Sequence, residues 1–344
     1  VAIADLGGTL IGHPIKLDAE DDQCNAEGGQ TAATKLASTP NMVIVLGSAC
    51  SSAATPGAPI LWQAGIVDIG TAASAPALTA ADRKSGYDGF VRTRYSDSDT
   101  GVSDANYTWN VLHLKTAVAL HDGSPYAQQL AHVFATAFKK LGGQVLSIEA
   151  VAPTDVDMHP VLTRIASEKP DIVYMPIFVA AAAQLLRQSK DVPGLSHTKL
   201  FGGGALMAPD FIEAAGPSVV GFSISYQDIS PAALGKSYPK LLAEYTKTFG
   251  EAPISGYHAN AYDAMMLAAK AIQAAAKTDA SGNLYIGKKA LRDAVYATTF
   301  DGMTGRVACD AHGECQRYKG AVYEFTDADP KTFKIGVNPK KIWP

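Results

Sequence analysis

The residues from Asn41 to Gly70 place the tightest limit on the fold. A short β-branched and aliphatic run, NMVIVLG, leads into the helical pattern SSAATPGAPILWQAG, and a second short apolar run, IVDIG, follows. Two buried strands on either side of a helix form a βαβ unit, whose strands lie parallel with both faces covered. Upstream, PIKLDAE alternates as a strand and GGQTAATKLAST reads as a helix. The rhythm breaks at YDGFVRTRYSDSDTG and restarts with TAVALHD, SPYAQQLAHVFATAFKKLGG, QVLSIEAV, HPVLTRIASEKP, DIVYMPIF, AAAAQLLRQSKD, KLFGGG and GFSISYQ. The expected class is α/β, in two Rossmann-like lobes with parallel sheets. After Asp228 the pattern turns helical, and these late helices need a sheet to cover, so the chain is expected to return to its first lobe.

A chain of 344 residues suits two domains of ~150 residues better than a single core. The net charge of −4, without a basic patch interleaved with aromatics, argues against a nucleic-acid partner. The longest apolar run, IVYMPIFVAAAAQLL, is interrupted by Pro176 and falls short of the ~20 residues of a membrane span. No cofactor motif stands out either. FGGGALM lacks the G-x-G-x-x-G spacing and an acidic residue placed for a ribose, and so reads as a turn.

Four cysteines, Cys24, Cys50, Cys309 and Cys315, allow three disulfide pairings. Cys24 and Cys50 each follow an expected strand, and one crossover helix joins them. Both therefore fall on the same rim of neighbouring strands, at a spacing a bridge accepts. Cys309 and Cys315 suit a hairpin bridge, expected to leave Arg306 to Tyr318 a tight β-hairpin; His312 between them also admits a zinc reading, for which two further ligands nearby are missing. Disulfides point to an oxidising compartment.

The stretch around Cys50 has three chemical readings. As a nucleophile elbow it fails, because Ser48 and Ser52 stand where G-x-S-x-G needs glycines. As half of a disulfide it fits the rim argument. As an anion cradle it also fits, since Ser51 and Ser52 open a helix whose free N–H groups favour a carboxylate. The next turn, IVDIG into TAASAPALT, repeats the arrangement with Thr71, the Ala73 N–H and Ser74. The plain alternative is that these hydroxyls are helix caps.

The segments IKLDAEDDQCNAEGGQTAATKLAS, VIVLGSACSSAATPGAPILWQAGI and GTAASAPALT resemble the periplasmic leucine/isoleucine/valine-binding family, the type I solute-binding proteins of ABC importers. The likeness continues through VRTRYSDSDTG, ALHDGSPYAQQLA, DIVYMPIFVAAAAQLLRQSK and FDGMTGRVACDAHGE. It implies two lobes joined by a three-strand hinge, residues 1–94 with 227–321 and 95–226 with 322–344, closing on a ligand. It further implies an exported monomer without catalysis or cofactor, binding a small hydrophobic carboxylate or amino acid and serving a membrane permease. A ligand-sensing receptor ectodomain of the same fold is the alternative. VAIADLGG resembles the end of the family's first helix, so that family's first strand and its ligand-facing loop are expected to be absent from the sequence as given.

Carried over by position, the resemblance places the ligand carboxylate on Ser51, the backbone of Ala72 and Ser74. Tyr126 of the second lobe falls where the family closes over the ligand, and Phe178 and Tyr257 fall at aromatic positions near its tail. Where the family offers a carboxylate to an α-ammonium, this sequence has Gly204 or Ala205. The ligand is then expected to lack an ammonium, or Asp210 or Asp228 is expected to reach in. Ser51 and Ser74 are expected to serve the ligand with little part in the stability of the empty protein.

Overall fold

Short apolar runs become strands where a neighbour completes their hydrogen bonds. In the computed structural model, which describes residues 1–230 and 232–344, Ile44–Leu46, Val67–Gly70 and Phe90–Arg92 form a three-stranded parallel sheet in that order. Val67, Ile69 and Val91 pack against Ala264, Leu267, Ala268 and Ala271 of the helix Tyr257–Ala275, and against Leu291 and Val295 of Lys288–Ala297. Two other helices, Ala26–Ser38 and Ser51–Gln63, pack on each other through small residues. A Cβ on Gly29 would stand 2.5 Å from the Ala53 carbonyl oxygen, so only glycine permits this approach. Pro59 has no N–H for the Thr55 carbonyl four residues back, and the Tyr87 hydroxyl donates to that carbonyl instead at 2.8 Å.

The chain divides into two compact units, Val1–Ser96 with Pro231–Arg317, and Asp97–Ser230 with Tyr318–Pro344. The boundaries fall at 96/97, 230/231 and 317/318, against 94/95, 226/227 and 321/322 read from the sequence. Pro231, inside the segment 227–321, lies outside the described residues. The second unit holds a seven-stranded sheet ordered Lys340–Trp343, Gly320–Glu324, Ser223–Gln227, Lys199–Gly202, Ile172–Met175, Thr116–His121, Gln144–Ala150. Its last five strands run parallel, and the first two add antiparallel pairs. The α/β class with mainly parallel sheets is the one read from the sequence. Among the described residues no helix is long and apolar enough to cross a membrane.

Cys24 is bonded to Cys50 and Cys309 to Cys315, with Cα atoms 5.2 and 3.7 Å apart. The thiols that a zinc reading required are thus consumed. Two expectations need correction. PIKLDAE forms no strand beyond the His13–Pro14 end of a two-residue hairpin; most of it is exposed, and among the described residues the segment has no neighbour to complete a ladder. Arg306 to Tyr318 is not a hairpin. Gly305–Ala308 pairs backwards with Thr299–Gly302, and the disulfide closes a loop in which the Gly313 carbonyl accepts from Arg92 N–H and Cys315 N–H donates to the Arg92 carbonyl.

Candidate functional site

Ser51 begins its helix, yet it is not a cap. The N-cap position belongs to Cys50, which makes no side-chain capping bond. The Ser51 hydroxyl, 2% exposed, reaches across to the turn that follows the neighbouring strand and accepts the N–H groups of Ser74 (3.2 Å) and Ala75 (3.1 Å). The plain capping alternative therefore does not describe Ser51, and neither does the expectation that it matters only when ligand is bound. Its oxygen supports a turn whose two N–H groups would otherwise be buried without partners.

Most peptide groups of that turn from Ala73 to Ala75 are tied down. The Ala73 N–H donates to the Ser48 carbonyl at 3.4 Å, so it is engaged rather than open as expected. Arg92, wholly buried at the end of the third strand, donates Nη1 to the carbonyls of Ala73 (3.1 Å) and Ala75 (3.0 Å). Nε and Nη2 of the same guanidinium meet Glu314, and Thr79 completes the cluster. What remains open is narrow. Among the described residues the Ala72 N–H has no partner. A serine hydroxyl has two acceptor sites and one donor; Ser51 has both sites filled, and its proton has no acceptor among the described residues. Unengaged donors in the turns at the C-terminal rim of a parallel sheet suit a carboxylate.

Of the other unit-one candidates, Ser74 is buried in the same turn. Tyr257 opens its helix with its ring 6.0 Å from the Arg94 guanidinium, which lies 3.5 Å over the Tyr95 ring.

The second unit assembles a separate group. Tyr126 lies in the first turn of the helix Pro125–Lys140, capped by Ser124, and its ring is 5.5 Å from that of Phe178. Asp122 arranges this pair. One of its oxygens accepts Ser124 N–H (3.1 Å) and Ser124 Oγ–H (2.6 Å), and the other accepts Phe178 N–H (3.0 Å). A Cβ on Gly203 would lie 2.6 Å from the Tyr126 hydroxyl oxygen, so the glycine turn passes directly beside that tyrosine. Gly204 opens the 3₁₀ turn Gly204–Leu206 that continues it. Of the two acids named as a displaced counter-charge, Asp228 is already paired. Asp210 is exposed in the first turn of its own helix. Asp228 is paired with Lys341 at 2.7 Å and accepts from Ser230 N–H; burial opposes this, but these bonds hold its carboxyl below the usual range.

Arg92, Glu314 and Asp122 escaped the sequence reading. The available signal for Arg92 was a charged residue ending the apolar run FVR; for Asp122 it was the D-G-S turn ahead of a helix. Both are positioned by neighbours remote in sequence, and no local pattern specifies those.

The family model described as "Periplasmic binding protein" matches residues 1–324. The Leu/Ile/Val-binding protein of Escherichia coli is 28% identical over 226 residues, covering 65% of this chain and 60% of that protein. The chain spans 56% to 60% of the length of the curated relatives it matches first. Among solved structures, a leucine-binding protein of Thermotoga maritima superposes with a TM-score of 0.83 at 22% identity, covering 95% of this chain and 89% of that one. A solute-binding protein of an ABC transporter from R. palustris, in complex with benzoate, gives 0.78 at 20% identity, covering 99% and 88%.

Proposed function

The chain belongs to the periplasmic binding protein family, and from that membership we propose that it is an extracytoplasmic receptor, capturing a small hydrophobic carboxylate for an ABC-type permease. The observation that carries this reading is the state of Ser51. Its oxygen is committed to the neighbouring turn, so the chemistry left to it is donation, and that same turn holds a second unengaged donor, the Ala72 N–H. The relatives' ligands are consistent with this, because branched-chain amino acids and benzoate share a carboxylate. Ser74 completes the proposed cradle. Tyr126, Phe178 and Tyr257 are proposed as apolar ligand contacts, and Gly204, in the turn that follows Gly203, as a further contact. Binding is proposed to proceed without catalysis or cofactor, by a monomer.

The ligand is further proposed to lack an α-ammonium. A buried ammonium needs a counter-charge, and leaving it unpaired costs several kcal/mol. The glycine turn supplies none, Asp210 faces solvent, and Asp228 is neutralised by Lys341. A thermal-shift panel tests this by setting L-leucine against 4-methyl-2-oxopentanoate and L-phenylalanine against phenylpyruvate. Ligand that binds only the folded state raises the melting temperature according to its affinity. The oxo acid is expected to give the larger shift in each pair. A larger shift from the amino acid in both would overturn the preference while leaving carboxylate capture intact.

A further inference from the structure

We propose that Glu314 is a positioning residue for carboxylate capture. From the disulfide-closed loop Cys309–Cys315 it orders Arg92, which fixes the carbonyls of Ala73 and Ala75 and thereby the aim of the Ala72 N–H and the Ser51 hydroxyl. This rests on the reading of the Ser51 turn as the carboxylate site.

The geometry forms one continuous path. The disulfide closes a loop of sequence separation 6. Inside it, Asp310 accepts the N–H groups of His312 (2.8 Å) and Glu314 (3.0 Å), and Asp310 N–H donates to the Glu314 carbonyl (2.9 Å). The loop lies along the strand Phe90–Arg92, with Arg92 N–H donating to Gly313 (2.9 Å) and Cys315 N–H donating to Arg92 (3.1 Å). Gly313 has φ +92°, and a Cβ there would meet the Phe90 carbonyl oxygen at 2.6 Å, so the approach requires glycine. The backbone of Glu314 is thus fixed from both sides, and its carboxylate meets the guanidinium through Nε and Nη2. That leaves Nη1 for the two carbonyls of the Ser51 turn.

A wholly buried guanidinium is tolerated only with a compensating charge. Remove the charge of Glu314, and Arg92 is driven toward whatever water or acceptor it can reach, releasing the two carbonyls. Lysine at position 92 would keep the charge but lack the fork that grips two carbonyls and a carboxylate together.

Glu314→Gln and Arg92→Lys are compared with the unaltered protein by two readouts. The first, hydrogen exchange of the peptide covering residues 71–76 in the ligand-free protein, requires no ligand. The second is calorimetric affinity for 4-methyl-2-oxopentanoate and L-leucine. Both variants are expected to exchange faster at 71–76, with the helix Pro125–Lys140 of the other unit unchanged. Affinity for whichever acid binds is expected to fall by about tenfold, the loss of roughly one hydrogen bond to a charged group. If Glu314→Gln does not fold, Cys309→Ser with Cys315→Ser frees the loop while keeping both charges, and the same readouts apply. Exchange at 71–76 and affinity both unchanged in folded variants would overturn the proposal. Should the unaltered protein bind neither acid while the variants still loosen 71–76, the coupling would stand and the capture reading would fall.

Discussion

Asp68 is a carboxylic acid buried within the sheet of the first unit. It sits in the central strand Val67–Gly70, 3% exposed, and its Oδ1 has no hydrogen-bond partner among the described residues. Burial, and secondarily the charge of Asp22, pushes its carboxyl well above the usual range. In the unfolded chain the same group ionises near pH ~4. Above that pH the unfolded state has released a proton that the folded state still holds, so stability falls as pH rises, until the folded carboxyl ionises as well. Asp68→Asn abolishes this loss. Its stability advantage over the unaltered protein is expected to grow by about 1.4 kcal/mol for each pH unit across that window, read from chemical denaturation at stepped pH. A constant difference would show that Asp68 is not held protonated. Ser51 was legible as a hydroxyl at a strand-to-helix junction. That its oxygen serves the adjacent turn was not, because strand order decides which turn is adjacent, and strand order is tertiary.

At the scale of elements, the bridge between Cys24 and Cys50 secures the starts of two helices that approach each other closely through glycine and alanine, with Leu36, Ile60 and Leu61 packed further along. Its sequence separation is 26. Loop-closure entropy then gives roughly 3–4 kcal/mol, against about 2 kcal/mol for the shorter second bridge. Cys24→Ser with Cys50→Ser is expected to lower stability by the larger amount in denaturant titration; equal or smaller loss than from Cys309→Ser with Cys315→Ser would contradict this. The pairing was legible on a rim argument even though the strand invoked for Cys24 did not form. The helix Asp97–Asn106 was illegible for the opposite reason: DSDTGVSDAN carries little helical propensity. It is held by packing that only Gly101 allows, where a Cβ would stand 2.7 Å from Val133, and by Asp104 accepting from Tyr174 (2.6 Å) and Ser225 (2.8 Å).

For the whole molecule, the βαβ rhythm gave the class, because strands such as IVDIG and DIVYMPIF are buried on both faces and can be little else. The antiparallel strand Lys340–Trp343 was not foreseen, since its exposed and half-buried residues alternate without a strong apolar run. The ligand is the least legible property, because selectivity rests on shape and on the charges that surround it. Capture of a carboxylate is the claim on which the functional account stands, and calorimetry of the tightest-binding acid of the panel against its methyl ester tests it most directly. The ester keeps the shape of the acid and removes its charge. The account predicts that the acid binds at least about tenfold more tightly, as expected for hydrogen bonds donated to an ion. Equal affinity for acid and ester, or no binding by any acid of the panel, would contradict it.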